Sequence, residues 1–188
     1  MSETWVAFLR AVNVGGRKVE MARLREILGD LGLQRARTYI ASGNAFFDCD
    51  LDPAAVGERA ALTATIENRL QQEFGFEVPT LLRTLPEVES ALALAAVPFG
   101  RIEVTPDIRL SVVFTSGPLT GLTPPLVSPK GDWEVLGATE GEAFVLSRLQ
   151  DGRLGANPIA AIEKTYGVKA TARFFHTMAK IVAAAKKP

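Results

Sequence analysis

The residues able to do chemistry in this chain are few, and their types limit what that chemistry is. His176 is the only histidine and Cys49 the only cysteine. A histidine-based general acid or base at neutral pH therefore has one residue to use, and a zinc site of the usual composition cannot be assembled. A triad of Ser42, His176 and an aspartate can be drawn, but the Gly-x-Ser-x-Gly elbow that would present the serine is missing. Asp48, Asp50 and Asp52 alternate along a strand exit and so point to one side, an arrangement that fits a solvated turn better than a weak Mg²⁺ site. Cys49 faces away from them and reads as a small apolar residue. No metal and no cofactor is expected, and no constellation requires catalysis.

Anion binding has more to work with. Asn13-Val-Gly-Gly-Arg-Lys18 runs from the end of an apolar stretch towards a helical one. Unpaired backbone N–H groups and the helix dipole favour an anion at such a place. Gly15 and Gly16 would let the backbone approach it, and Arg17 and Lys18 add charge. The competing reading is that two glycines only let the chain turn tightly. Neither Gly-x-x-x-x-Gly-Lys-Ser/Thr nor Gly-x-Gly-x-x-Gly is present, so both standard nucleotide loops are set aside. A second polar group, Ser42-Gly43-Asn44, has the composition of a hairpin turn, with Arg37, Thr38 and Tyr39 beside it. Towards the C-terminus Arg173, His176, Thr177 and Lys180 fall at i, i+3, i+4 and i+7, one polar stripe of a helix expected from Thr171. Arg173 in its first turn would be a cation beside the positive end of the dipole, in need of a carboxylate, a carbonyl or a bound anion.

The elements that must position these residues follow from periodicity. Thr4 to Val12 reads as a mostly buried strand. Met21, Leu24, Ile27, Leu28 and Leu31 recur at helical spacing, with Gly32 as the C′ residue. Arg37–Ala41 and Ala45–Cys49 flank the Ser42–Asn44 turn as a hairpin. Asp52-Pro53 reads as an N-cap with proline at N1, opening a helix with Leu62, Ile66, Leu70 and Phe74 on one face and Gly75 after it. Glu77–Arg83 is an edge strand. The order βαββαβ is that of a ferredoxin-like unit.

Thr84 and Glu87 have capping-box spacing for a helix to Ala96, ending before Pro98. Residues 98–107 read as a linker between a first unit, 1–97, and a second, 108–188. The second offers a strand at Ile108–Thr115, a stretch from Gly117 to Gly131 with four prolines, a hairpin of Trp133–Ala138 with Ala143–Leu149, a helix opened by Asn157-Pro158 and closed by Gly167, a short strand at Val168–Ala170 and the last helix. The fold class expected is α+β: a ferredoxin-like unit followed by a degenerate second unit of similar type.

Composition supports an ordinary soluble protein. The 188 residues are 47% hydrophobic and 22% charged, enough to bury a core. Net charge is formally zero, so no global field draws the chain to nucleic acid or an anionic membrane. Six basic residues and no acidic one lie between Lys164 and Pro188, which leaves room for a local basic surface. The apolar run Ala91 to Val97 stops at Pro98, well short of the ~20 residues a membrane span needs. A lone cysteine suits the reducing cytoplasm. RNA is the less favoured partner: Phe46 and Phe47 are adjacent and point to opposite faces, and Gly43–Phe47 lacks the RNP1 spacing.

Five stretches together resemble a bacterial family known as domain of unknown function 1697: Leu9-Arg-Ala-Val-Asn-Val-Gly-Gly16, Met21 with Leu24, Thr38-Tyr-Ile-Ala-Ser-Gly-Asn44, Val97-Pro-Phe99 and Thr171-Ala-Arg-Phe-Phe-His-Thr177. The resemblance spans nearly the whole chain. It implies an α+β protein with ferredoxin-like units and no agreed activity. The family's last motif usually reads Thr-Thr-Arg-Asn-Trp-Asn-Thr. This sequence keeps Thr171, Arg173 and Thr177 and departs at Ala172, Phe174, Phe175 and His176, so two asparagine amides are replaced. The functional expectation is a pocket for a small anionic ligand, such as a nucleotide or phosphorylated metabolite, built from Asn13, Gly15, Gly16, Lys18, Ser42, Gly43, Asn44, Arg173 and His176. The alternative is a non-catalytic module that docks a protein or RNA through the basic C-terminal helix.

Overall fold

Glu3–Leu9 (β1) is apolar at nearly every position because it is covered on both faces and paired along both edges. Trp5, Val6, Ala7 and Phe8 are fully buried. In the computed structural model, which describes residues 2–187, β1 pairs antiparallel with Asn44–Cys49 (β3) on one side and Thr80–Thr84 (β4) on the other. Gln34–Tyr39 (β2) pairs antiparallel with β3, giving the strand order β2-β3-β1-β4. Met21–Asp30 (α1) connects β1 to β2, and Val56–Phe74 (α2) connects β3 to β4. Alternate residues of β1, Trp5, Ala7 and Leu9, share a core with Leu24, Ile27 and Leu28 of α1, Ile66 and Leu70 of α2, and Ala45, Phe47 and Leu82 of the flanking strands. The period-2 and period-3.6 patterns thus meet in one layer of helices on one face of the sheet.

Several boundaries differ from the sequence expectation. β1 stops at Leu9 rather than Val12, and Ala11 and Asn13 beyond it adopt positive φ, which takes the chain out of the extended conformation. The hairpin strands are joined by residues 40–43, and Asn44 lies in β3 opposite Tyr39, not in the turn. Asp52 does not cap α2. Its carboxylate accepts from the Ala54 amide at 2.9 Å in a local turn, and the N-cap is Ala55. A short polar side chain used in that way is no longer available to the helix. Gly32 and Gly75 do end α1 and α2 in the left-handed conformation.

Leu85–Phe99 (α3) opens with the expected capping box: the Thr84 amide donates to Glu87 Oε2 at 2.7 Å, and the Glu87 amide to Thr84 Oγ1 at 3.3 Å. Pro98 sits inside its last turn, where it forfeits the hydrogen bond of its own missing N–H, and the Gly100 amide still reaches Ala96 O. The second sheet comprises Ile108–Thr115 (β5), Leu126–Val127 (β6), Trp133–Ala138 (β7), Glu142–Gln150 (β8) and Ala170–Phe174 (β10), in the order β10-β5-β8-β7-β6, with Arg153–Leu154 (β9) added to β8. Pro158–Tyr166 (α4) is capped by the Asn157 side chain, which accepts from the Ile159 amide, and ends at Gly167 in the left-handed region. Its Ile162 enters a core with Val113, Trp133, Val135, Val145 and Ala170. Phe175–Ala185 (α5) closes the chain, with Met178, Ile181 and Ala185 buried.

The largest departure lies here. The last helix begins at Phe175, not Thr171, because Ala170–Phe174 pairs residue for residue with Ser111–Thr115. The chain divides into two compact units, Met1–Val88 with Ile181–Pro188, and Glu89–Lys180. The division falls within α3, ahead of the 98–107 stretch read as a linker. In the first unit Arg37 of β2 donates to Lys187 O and, at 3.2 Å, to Ala185 O, so a guanidinium satisfies carbonyls at the C-terminal end of α5. No described helix is long and apolar enough to cross a membrane.

One ion-pair cluster makes the first unit's stability depend on acid. Arg23 of α1 grips Glu73 of α2 through two hydrogen bonds of 2.7 and 2.8 Å, and Arg69 adds a third at 3.0 Å. The hydrogen bonds from Arg23 and then Arg69 hold the Glu73 carboxyl at about 2, against an ordinary value of 4.5. A depressed carboxylate stabilises the fold above its unfolded value and loses that contribution as pH falls towards its folded one. Stability measured by denaturant unfolding should therefore fall more steeply in the wild type than in Glu73→Gln between about 4.5 and about 2. Parallel curves would contradict this.

Candidate functional site

The two loops at one end of the first sheet are built around a single amide. Asn13 Nδ2 donates to Val19 O at 3.2 Å and to Ala41 O at 2.7 Å, while Asn13 Oδ1 accepts from the Val19 amide at 3.0 Å. One side chain thus closes the 13–19 loop on itself and ties it to the 40–43 turn. Asn13 holds φ 57°, a conformation asparagine tolerates better than most residues. Gly43 completes the join. Its carbonyl accepts from the Leu9 amide at 2.8 Å, and a Cβ there would stand 2.6 Å from Val12 Cγ2 and 3.0 Å from Leu9 Cβ, at φ +80°.

Between these anchors Val14 and Arg17 form an antiparallel bridge across Gly15 and Gly16, with φ of 58° and 83°. Two successive positive φ values and the Arg17 amide on Val14 O at 3.1 Å define a primed two-residue hairpin turn. The glycines therefore form an exposed turn of their own. They are not the N-terminus of α1, which starts at Met21 after Glu20. Lys18 is exposed and pairs with Glu20 at 3.0 Å. Arg17 is exposed, with its guanidinium 5.8 Å from the centre of the Phe76 ring. Asn44 is fully buried and donates to Tyr39 O at 3.1 Å and Ser42 Oγ at 3.0 Å, so it shapes the turn from within.

The remaining candidates are placed elsewhere. Arg173 lies on β10 in the second unit, not in a helical first turn. It is 8% exposed and donates to Thr171 Oγ1 at 3.0 Å and Ala172 O at 2.8 Å. The dipole argument made for it does not apply to a strand. Burial pushes its guanidinium down to about 10, which leaves it a cation at neutral pH. His176 is exposed in the first turn of α5, and its ring stacks on Phe174 at 5.7 Å and 12°. Phe174 is itself 42% exposed.

Asp48 is taken up by Thr4 Oγ1 at 2.8 Å and by Arg35. Burial pushes its carboxyl up, but the hydrogen bonds from Arg35 and Thr4 outweigh that and hold it below the usual range. Among the described residues no group of His, Cys, Asp and Glu is arranged to hold a metal ion. Phe46 and Phe47 are both buried, so neither offers an open face for a base. The second unit also has a shallow groove of about 560 Å³ between Ser116–Thr120 and Thr165–Val168, lined without a charged side chain. Sequence reasoning passed over it and over Ile40, whose φ of 50° no local pattern announces.

These features define a mixed α+β protein of two antiparallel sheets, with a loop pair pinned at one end of the first. The chain belongs to the family of proteins of unknown function DUF1697, which it matches over residues 2–144. The conserved bacterial protein SP0830 from Streptococcus pneumoniae shares the fold, with a TM-score of 0.62 and 21% identity over 99% of this chain and 100% of that one. No curated protein matches the chain.

Two substitutions test how the loops are held. Asn13→Gly keeps the backbone conformation and deletes the amide, and should destabilise the protein by about 1–3 kcal/mol. Gly43→Ala, which collides with Val12 and Leu9 and strains φ, should cost about 2 kcal/mol or more. Unchanged thermal midpoints would show that the loops are held by something else.

Proposed function

We propose that this protein binds a small anionic ligand at the paired loops of its first unit. The observation that carries the reading is the Asn13 pin. It fixes the Gly15–Gly16 turn against the 40–43 turn while Arg17 and Lys18 stay exposed beside it. Successive backbone amides in a turn form concavities suited to anions, and two adjacent cations add attraction. Lys18 pairs with Glu20 only at the surface, where exchange for a bound phosphate costs little. A phosphorylated metabolite or nucleotide has the required charge.

This site lies within the first unit. Arg173 and His176 serve the junction of β10 and α5 in this reading, because one is buried on its strand and the other is stacked on Phe174. We also read the first unit as ferredoxin-like and the second as a degenerate unit of the same type. The strand orders support this: β5, β7, β8 and β10 take the places of β1, β2, β3 and β4, with the irregular stretch 116–132 where the first unit has a helix. A cytoplasmic setting suits the lone Cys49.

Calorimetric titration with inorganic phosphate tests the proposal. Wild type should bind, Lys18→Ala and Arg17→Ala should each weaken binding about three- to tenfold, and Arg173→Gln should leave it unchanged. Absence of binding, or loss only in Arg173→Gln, would overturn the reading. A pull-down that depends on Lys180 and Lys186 and survives changes at Gly15 and Gly16 would favour the C-terminal helix as a docking surface instead.

A further inference from the structure

Backbone strain and exposed apolar side chains coincide in the paired loops. Of the five residues other than glycine with positive φ among those described, two, Asn13 and Ile40, are in this loop pair, and a third, Ala11, precedes it by two residues. Ile40 is the most unusual, since a β-branched side chain is strongly disfavoured there. Such strain persists only where the surroundings impose it, and it gathers at ligand-binding positions. Ile40 is also 49% exposed, so it does not gain the burial that would offset this cost, and Val14 is 58% exposed.

The two residues are held close to each other through the backbone. Each is one residue from the 2.7 Å hydrogen bond between Asn13 and Ala41. Val14 is the bridge partner of Arg17, so their side chains project from the same face of the small hairpin. On that face the Arg17 guanidinium lies over Phe76. A planar cation with one side against a ring has a second side suited to another flat group. Two apolar side chains and one guanidinium are far too small for a protein interface, but they match one ring.

Resting on the anion-binding reading above, we infer that the ligand is a phosphate ester that carries an aromatic ring: its phosphate held by Arg17, Lys18 and the Gly15–Gly16 turn, and the ring laid across Val14 and Ile40. Nucleotides and phosphorylated aromatic metabolites belong to this class.

The test uses the full chain, with phenyl phosphate and inorganic phosphate as probes. Wild type should bind phenyl phosphate about tenfold more tightly, the factor supplied by covering roughly 50 Å² of apolar surface. Ile40→Asn removes the apolar group and places at φ 50° a residue that accepts it. It should raise the thermal midpoint, abolish most of the preference for phenyl phosphate, and leave inorganic phosphate unchanged. Equal affinities for the two probes in wild type, or equal weakening of both in Ile40→Asn, would overturn the aryl assignment while anion binding stands. Failure of both probes to bind would remove the anion reading itself. Sedimentation with phosphatidylserine vesicles that requires Val14 and Ile40, without a preference for phenyl phosphate, would overturn the assignment in favour of a lipid surface.

Discussion

The proposed site depends on the side-chain amide of Asn13. Its donor and acceptor sides are both used, by Val19 within its own loop and by Ala41 in the β2–β3 turn. Without it, the Gly15–Gly16 hairpin would keep its own backbone bonds but lose its tie to the 40–43 turn, and ordering the two loops against each other on binding costs conformational entropy. With it, the loops are fixed before any ligand arrives. The core beneath supplies the other half of the constraint. Leu9 and Val12 pack directly under Gly43, where a Cβ would collide with them.

The two units solve the same packing problem with different materials. In the first, β1 is central, paired on both edges and buried on both faces, and α1 and α2 cover one side. In the second, β5 and β8 hold the central places and α4 provides the cover, while the irregular stretch after β5 contributes Leu119 and Leu122 to the core. Loops that close a core need fixed polar partners. Asp132 supplies them by accepting from Ser128 Oγ and the Ala156 amide, and these hydrogen bonds hold its carboxyl below the usual value.

What could be read from sequence followed local signals that tertiary structure left undisturbed. β5 and β7 appear with the boundaries expected, because β-branched and aromatic runs between turn residues have one good solution. The Thr84–Glu87 box and the Asn157 cap are local hydrogen-bonding devices and were equally legible. The misses were places where partners distant in sequence decide. Ala-Thr-Ala-Arg-Phe fits a helix or a strand equally well, and pairing with β5 made it a strand, which moved Arg173 from a helix end to a buried strand position. Asn44 has the composition of a turn residue but pairs with both Phe8 and Tyr39. Ile40 is left-handed at φ 50°, and nothing in its own identity points to it.

The central claim is that ligand chemistry belongs to the paired loops of the first unit. The most direct measurement is a map of backbone amide chemical shifts during titration with phenyl phosphate. The account predicts that the largest shifts fall on residues 13–18 and 40–44. Shifts concentrated instead on the groove of Ser116–Thr120 and Thr165–Val168, or on β10, would contradict it.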